Sequence, residues 1–203
     1  MIESFRNEYF FLSNFYPCSI NYKGVTYQNA EAAFQSMKTC DLLQRASFSF
    51  YTPSQAKIEG RNCELRKDWE LVKDEIMYDV VFNKFLQNAD LRKKLLDTYP
   101  EELIEGNNWH DNYWGDCKCV ACLNNKGDNK LGIILMDVRD FFFKQKENIN
   151  YEKTLEIGNQ VKDFLKSQYP NETVSLTVTK KDILFEYLPP EVEKVKIRKA
   201  RNE

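Results

Sequence analysis

Apolar and polar residues alternate over positions 18–27, on both sides of the turn-forming pair Lys23-Gly24. This alternation predicts a small β-hairpin near the N-terminus. Further along the chain, apolar residues recur at helical spacing instead of alternating. Thr52-Pro53 predicts the start of a short helix that ends near Gly60.

Three longer stripes of apolar residues recur at helical spacing and predict further helices. The first stripe runs from Leu65 to Val80, and the second follows Asp90, which we expect to cap its helix. The third spans residues 131–142, with Asn129 as the expected cap. The main part of the chain is therefore predicted to be mostly helical.

The segment from Tyr27 to Lys38 predicts a helix that carries an acid and an amine at the edge of the core. Asn29 can cap this helix, because its side-chain oxygen can accept an N–H of the first turn. Glu31, Gln35 and Lys38 fall on one stripe beside an apolar stripe. Partial desolvation raises the pKa of such a glutamate and suits it to proton transfer or to facing a developing cation. The alternative is an exposed helical charge pair.

The composition changes after Phe143, where a polar stretch begins. Residues 144–203 are predicted to form an extension that contains one helix over 155–165. Alternating residues near 174–178 and 183–188 predict a β-hairpin in the extension, followed by a basic tail.

The overall composition is that of an ordinary globular protein, with 42% hydrophobic and 30% charged residues among 203. The net charge of -2 argues against coating nucleic acid by bulk electrostatics. No apolar run reaches membrane-spanning length, so we expect no membrane partner. The N-terminus lacks the pattern of a signal peptide. We therefore expect a cytoplasmic protein whose six cysteines are reduced thiols.

Residues 105–130 predict a long loop that combines a carboxylate with aromatic residues. Asp111 and Trp114 are close in sequence, and such a pair can stack a base or sugar while the acid orients a hydroxyl group. The alternative is that Trp109 and Trp114 only anchor the loop to the core.

The same loop contains Cys117, Cys119 and Cys122, with His110 seven residues before the first of them. Three thiolates and one imidazole are a ligand set that zinc accepts. However, the spacing matches no common zinc pattern, and no second CxxC is present. From the sequence we therefore expect reduced loop cysteines and no metal or other cofactor.

Several ordered motifs then resemble the YbiA-like, or NADAR, family over residues 5–143. The motifs include Leu12-Ser13-Asn14-Phe15, Glu31-x-x-Phe34-Gln35-x-x-Lys38, Gly60-Arg61, Arg66-x-Asp68-Trp69-x-x-Val72-Lys73, Asp111-x-x-Trp114-Gly115 and Asn129-x-Leu131-Gly132. The resemblance implies an α+β, mostly helical YbiA-like fold for residues 1–143, with residues 144–203 as a C-terminal extension.

The resemblance also implies an N-glycosidase, and hence an enzyme. Substrates associated with the family are phosphoribosylated intermediates of riboflavin synthesis and ADP-ribosyl groups on guanine. The expected partner is therefore a small ribosyl nucleotide or an ADP-ribosyl adduct, with ADP-ribosylated DNA as one form of the latter. The oligomeric state is left open. A non-catalytic ADP-ribose or nucleotide-binding module is the main alternative, and a zinc-dependent interaction protein is the weaker one.

Carried over to this sequence, the resemblance implies a site with an acid and an amine on one helix. The implied catalytic residues are Glu31, Lys38 and Asp111. The implied substrate-binding residues are Asn14, Phe15, Arg66, Trp69, Lys73, Trp114 and Gly115. The cysteine-bearing loop departs from the family, because many relatives have a short Gly-rich turn after the Trp-Gly pair.

Overall fold

A computed structural model describes residues 1–122, 124–148, 159–160, 162–163, 166–167, 173–178, 183–188 and 196–197. The fold is mostly helical, with small sheets at the periphery, as the sequence predicts. None of its helices, within these described ranges, is long and apolar enough to cross a membrane.

The predicted N-terminal hairpin is present and leads directly into the first helix. Strands β1 (Pro17–Tyr22) and β2 (Val25–Asn29) pair antiparallel. Helix α1 (Ala30–Ser36) starts at the residue after β2, and Asn29 caps it by accepting the Ala32 N–H at 2.7 Å. The predicted cap is confirmed, and the hairpin fixes the direction in which α1 leaves it.

Two short helices follow, α2 (Leu42–Ser47) and α3 (Pro53–Asn62). Thr52 and Gln55 form a reciprocal capping box at the start of α3, with proline in the first turn. Both features stabilise a helix N-terminus, so the predicted start of this helix is confirmed. Helix α3 packs against α1.

Three longer helices form the body of the protein. Helix α4 (Trp69–Gln87) contacts the hairpin, α1, α5 (Ala89–Asp97) and α6 (Lys130–Asn148). Its inner face is fully buried at Val80, Val81 and Phe85. Burial of this apolar face supplies most of the driving force that holds the helices together.

The boundaries of these helices correct three predictions. Helix α4 begins at Trp69, one turn later than predicted, and Leu65 lies before it with 50% of its surface exposed. Helix α5 starts after Asn88, with Asp90 inside its first turn rather than at the cap. The side chain of Asn129 does not cap α6, because it bonds the Glu105 N–H and the Leu103 carbonyl.

The predicted loop between α5 and α6 contains two short parallel strands. They are β3 (Gly106–Asn107) and β4 (Asp116–Cys117). Their pairing brings together the two ends of the segment that connects them. A Cβ atom at Gly115 would lie 2.2 Å from the Glu105 carbonyl oxygen. Only glycine allows this approach, so Gly115 brings the two strands together.

The C-terminal region contains a sheet of β5 (Thr173–Val178), β6 (Ile183–Leu188) and β7 (Lys196–Ile197). Strands β5 and β6 form the predicted hairpin. The apolar residues that predicted the preceding helix, namely 155, 157, 161, 164 and 165, lie outside the described residues. The proposed boundary between residues 143 and 144 falls inside α6.

Candidate active site

A cavity of about 850 Å³ opens between the N-terminal segment, α1, α3, α4 and the loop before β4. It brings together most of the predicted site residues from distant parts of the sequence. Of these, the residues that line the cavity are Asn14, Phe15, Glu31, Lys38, Trp69, Lys73, Asp111 and Trp114. Arg66 and Gly115 are the two predicted residues that are not in its lining.

Glu31 lies in the first turn of α1 and is 7% exposed. Its Oε1 accepts a hydrogen bond of 2.8 Å from Gln35 Nε2, one helical turn later. Desolvation raises the pKa of this carboxyl group, while the Gln35 hydrogen bond and the charges of Lys57 and Lys38 oppose the shift. The alternative hypothesis, that Glu31 belongs to an exposed charge pair, is therefore wrong.

Lys38 lies just beyond the end of α1, with its Nζ 5.6 Å from the centre of the Trp69 ring. Burial lowers the pKa of this amine, and the charges of Cys63 and Glu31 partly offset that effect. Both residues are described, and Glu31 and Lys38 form no salt bridge within 4.0 Å of each other. A lowered pKa leaves more of the amine in the neutral, nucleophilic form.

Gln35 is itself positioned by the neighbouring helix α3. A Cβ at Gly60 would lie 2.0 Å from Gln35 Oε1, so only a glycine lets this amide sit against α3. The amide then donates to Glu31. The packing of α1 on α3 thus fixes the orientation of the acid.

Asp111 is positioned in the cavity lining by Asn107 and by its own loop. Asn107 is 3% exposed, and its Nδ2 donates to the Asp111 carbonyl oxygen at 2.7 Å. Asp111 Oδ1 accepts the Trp114 N–H at 2.9 Å. No other hydrogen bond to the Asp111 carboxylate is formed by the described residues, so its second oxygen can accept one from a ligand hydroxyl group. Sequence reasoning missed Asn107.

Aromatic rings form one wall of the cavity. The Phe34 ring lies 5.2 Å from that of Trp69 and 5.4 Å from that of Trp114. Trp114 is therefore packed on the core, whereas Trp109 is 51% exposed and borders the cavity. The hypothesis that both tryptophans only anchor the loop is wrong for Trp109. Such a wall is suited to stacking a flat base.

The cations of the cavity differ from those expected. Arg66 forms a bidentate pair with Asp68, at 2.6 and 2.7 Å, and lies outside the cavity lining. Lys57 and Arg61, four residues apart on α3, line the cavity instead. Neither forms a salt bridge with any residue in the part of the chain that the structure describes.

Lys73 is the one predicted substrate-binding cation in the lining, although it is not free. Its Nζ lies 2.5 Å from Glu70 and 4.0 Å from the centre of the Tyr113 ring. Arg6 adds a further cation at the cavity, with its guanidinium 5.8 Å from the Trp109 ring. An anionic group of a ligand therefore meets positive charge from α3 and from the N-terminal segment.

Glu105 is an acid of the cavity lining that the sequence analysis did not single out. Its Oε2 is sealed from solvent and has no hydrogen-bond partner among the described residues. Desolvation and, second, the charge of Asp111 raise the pKa of Glu105 to about 7. A carboxyl group with such a pKa can donate a proton near neutral pH. No local pattern could have revealed it, because its burial depends on residues far away in the chain.

Asn14 connects the N-terminal segment to α1 at the floor of the cavity. Its carbonyl oxygen accepts the Glu31 N–H at 3.0 Å, and its Nδ2 contacts the sulfur of Met77 at 3.2 Å. The Asn14 Oδ1 is buried without a partner among the described residues. A buried amide oxygen without a partner at a cavity is suited to accept a hydrogen bond from a ligand.

The sequence and fold of this chain are similar to those of characterised proteins. The family model described as the NADAR domain matches residues 3–142 of this chain. The chain belongs to the NADAR family. The predicted resemblance is thereby confirmed, and the match covers every residue that lines the cavity.

Two of three similar proteins are named as N-glycosidases, and the third is named for riboflavin biosynthesis. The N-glycosidase YbiA of Shigella boydii is 38% identical over 137 residues, which are 66% of this chain and 82% of that protein. The N-glycosidase Npun_R5314 of Nostoc punctiforme is 38% identical over 134 residues, 63% of this chain and 82% of that protein. The riboflavin biosynthesis protein VVA0006 of Vibrio vulnificus is 38% identical, but this chain covers 35% of its length.

A solved structure shows the same fold. The NMR structure of YbiA from Escherichia coli aligns with a TM-score of 0.63 at 32% identity. The alignment covers 74% of this chain and 92% of that chain. The predicted mostly helical YbiA-like fold is confirmed.

Proposed function

We propose that this NADAR chain is an N-glycosidase that hydrolyses the C–N bond between ribose and a base in a phosphoribosyl or ADP-ribosyl substrate. The observation that supports this most is the buried Glu31 in a cavity that also offers an aromatic wall and unpaired cations. The names of the relatives support the reaction class. A non-catalytic nucleotide-binding module is disfavoured, because binding alone needs neither a buried acid nor an amine with a lowered pKa.

The reaction needs a negative charge beside the sugar ring. Cleavage of a ribosyl C–N bond develops positive charge on the sugar ring, so a fixed carboxylate stabilises the transition state more than the ground state. Glu31 supplies this carboxylate and can take a proton from the attacking water. The water oxygen then bonds to C1 as the C–N electron pair leaves with the base.

The departing base needs a proton to balance the electron pair that it receives. Glu105 is suited to deliver it, because its raised pKa keeps it protonated up to about pH 7. Glu31 and Glu105 thus have separate roles as base and acid. In this route Lys38 only adds positive charge.

An imine route uses Lys38 directly. The Lys38 amine attacks C1 of the sugar, the base leaves with a proton, and ring opening produces an imine that water later hydrolyses. Its lowered pKa and its place in the cavity lining favour this role. The two routes differ in whether the sugar becomes bonded to the protein.

Borohydride separates the two routes. If the imine forms, reduction during turnover is expected to leave a stable ribosyl adduct on Lys38 and to inactivate the enzyme. Peptide mapping by mass spectrometry locates the adduct. The Lys38→Arg variant is the control and is expected to give no adduct and little turnover. An active Lys38→Arg enzyme without any adduct in the wild type would restrict Lys38 to an electrostatic role.

Asp111 is expected to bind the ribose hydroxyl groups through its second carboxylate oxygen. In Asp111→Asn the retained Oδ1 still accepts the Trp114 N–H, while the negative charge is lost and the second carboxylate oxygen is replaced by an amide NH2 group. A hydrogen bond to a charged group contributes about 1.5–3 kcal/mol, so kcat/KM is expected to fall at least about tenfold. Steady-state kinetics on the hydroxylated substrate and its 2-deoxyribosyl analogue provide the check. An equal loss on both substrates would contradict the hydroxyl contact at that position.

The substrate class is tested by product analysis. Mass spectrometry would follow base release from phosphoribosylated riboflavin-pathway intermediates, ADP-ribosylated guanosine, ADP-ribosylated DNA and NAD offered to the full chain. Release from at least one of them supports the proposal, and release from none of them contradicts it. Activity on DNA is expected to fall steeply with salt, because protein cations must replace the counterions of the phosphates. Activity on the small substrates is expected to change little.

A further inference from the structure

A cluster of four metal-binding side chains lies in the loop that borders the cavity. His110, Cys117, Cys119 and Cys122 each offer one ligand atom, and these atoms all lie within 4.8 Å of one another. His110 Nδ1 lies 3.2 Å from Cys119 Sγ and 3.5 Å from Cys122 Sγ. The three cysteines are free thiols.

These distances are close to those of a tetrahedral zinc site. With Zn–S near 2.3 Å and Zn–N near 2.0 Å, a tetrahedron separates nitrogen from sulfur by about 3.6 Å and two sulfurs by about 3.8 Å. The observed nitrogen–sulfur distances therefore need little change. A contraction of about 1 Å would bring the widest pair of ligand atoms to the tetrahedral separation.

Two backbone N–H groups of the loop surround the sulfur of Cys117. The N–H groups of His110 and Cys119 point at Cys117 Sγ, at 3.3 and 3.5 Å. Such donors stabilise negative charge on sulfur. The base of the loop is closed by Asp116, which accepts the Gly127 N–H at 2.9 Å. The ligands are thus held together by bonds other than those to a metal.

We propose that His110, Cys117, Cys119 and Cys122 bind one Zn²⁺ ion in a closed structural site. Four protein ligands leave no open position for water or substrate, so the metal stabilises the loop and takes no part in chemistry. The unusual spacing that argued against a metal in the sequence is explained by the fold, because the pairing of β3 with β4 brings His110 back beside Cys117.

The site is coupled to the cavity through His110. Its two sequence neighbours, Trp109 and Asp111, both line the cavity. His110 has a φ of 66°, a left-handed conformation that is uncommon for a residue with a side chain. A bond from zinc to its Nδ1 would hold the residue in this conformation and keep its neighbours in place.

Metal content tests the proposal directly. The full chain, purified under reducing conditions without chelator, is expected to contain close to one zinc per chain by elemental mass spectrometry. The Cys119→Ser/Cys122→Ser variant is expected to lose nearly all of it. Cys40→Ser removes an exposed thiol outside the cluster and is expected to keep it. Equal zinc content in the cluster variant and the wild type would overturn the proposal.

Cobalt provides a second measurement if the cluster variant fails to fold. Reduced wild-type protein, freed of metal and titrated with Co²⁺, is expected to show the intense visible absorption of a tetrahedral site together with thiolate-to-cobalt charge transfer, saturating at one equivalent. Zinc should then displace the cobalt, and its binding should raise the melting temperature. A weak octahedral spectrum, or no change in the melting temperature with zinc, would overturn the proposal.

Discussion

Replacing Glu31 with glutamine is expected to lower kcat/KM at least about hundredfold while the protein stays folded. Glutamine keeps the shape of the side chain, and its oxygen can still accept the Gln35 hydrogen bond. The substitution therefore removes the charge that stabilises the sugar cation with little change in packing. Steady-state kinetics, combined with circular dichroism and a substrate-binding measurement, would check this expectation.

The matched control is Glu59→Gln. Glu59 is also a helical glutamate, on α3, but it is absent from the cavity lining. Its replacement is expected to leave kcat/KM close to the wild-type value. Near-normal turnover by the Glu31 variant would show that another group stabilises the transition state.

Glu105→Gln is expected to produce the second large loss, about hundredfold at neutral pH, because glutamine cannot donate the proton. The pH profile gives a sharper signature. The Glu105 acid is protonated below about pH 7 and ionised above it, so wild-type kcat/KM is expected to fall as the pH rises through that value. The variant is expected to lack this alkaline decline.

A change of leaving group distinguishes proton donation from a structural role. A substrate whose base leaves without protonation should restore much of the activity of the Glu105→Gln variant. Glu102→Gln, which changes an exposed acid nearby, serves as the control and should alter neither rate nor pH profile. If the Glu105→Gln variant loses the same activity on both substrates, the hypothesis that Glu105 donates the proton is wrong.

The sequence predicted local structure well wherever a local pattern determines it. The hairpin and the Asn29 cap of α1 depend on residues close together in the chain, and both were predicted. The start of α4 was placed too early, because Leu65 continues its apolar spacing but lies on the surface. Periodicity alone does not show which apolar residues become buried.

The sequence predicted only some of the residues that line the cavity, because the partners and burial of a side chain depend on the folded structure. Eight of the lining residues were assigned to the site from the resemblance, but a motif does not report which partner a side chain chooses. Arg66 pairs with Asp68, two residues away, and so is withheld from a ligand. Gly60-Arg61 was recognised as a motif, but neither Arg61 nor Lys57, one helical turn before it, was assigned to the site. The raised pKa of Glu105 arises from burial, which the sequence does not show.

The direct passage from β2 into α1 has a consequence for how the site assembles during folding. Glu31 lies on α1 directly after the hairpin, and Gly60 of α3, against which its partner Gln35 packs, follows Gln35 by only 25 positions. Closing this part of the site therefore costs little chain entropy. Asp111 lies 80 positions after Glu31 in the chain, beyond α4 and α5. We expect the half of the site around Glu31 to form early and the loop around Asp111 to join it late, since long-range contacts are slow to form. Substitutions in the Asp111 loop should then mainly accelerate unfolding, whereas those in the hairpin should slow folding.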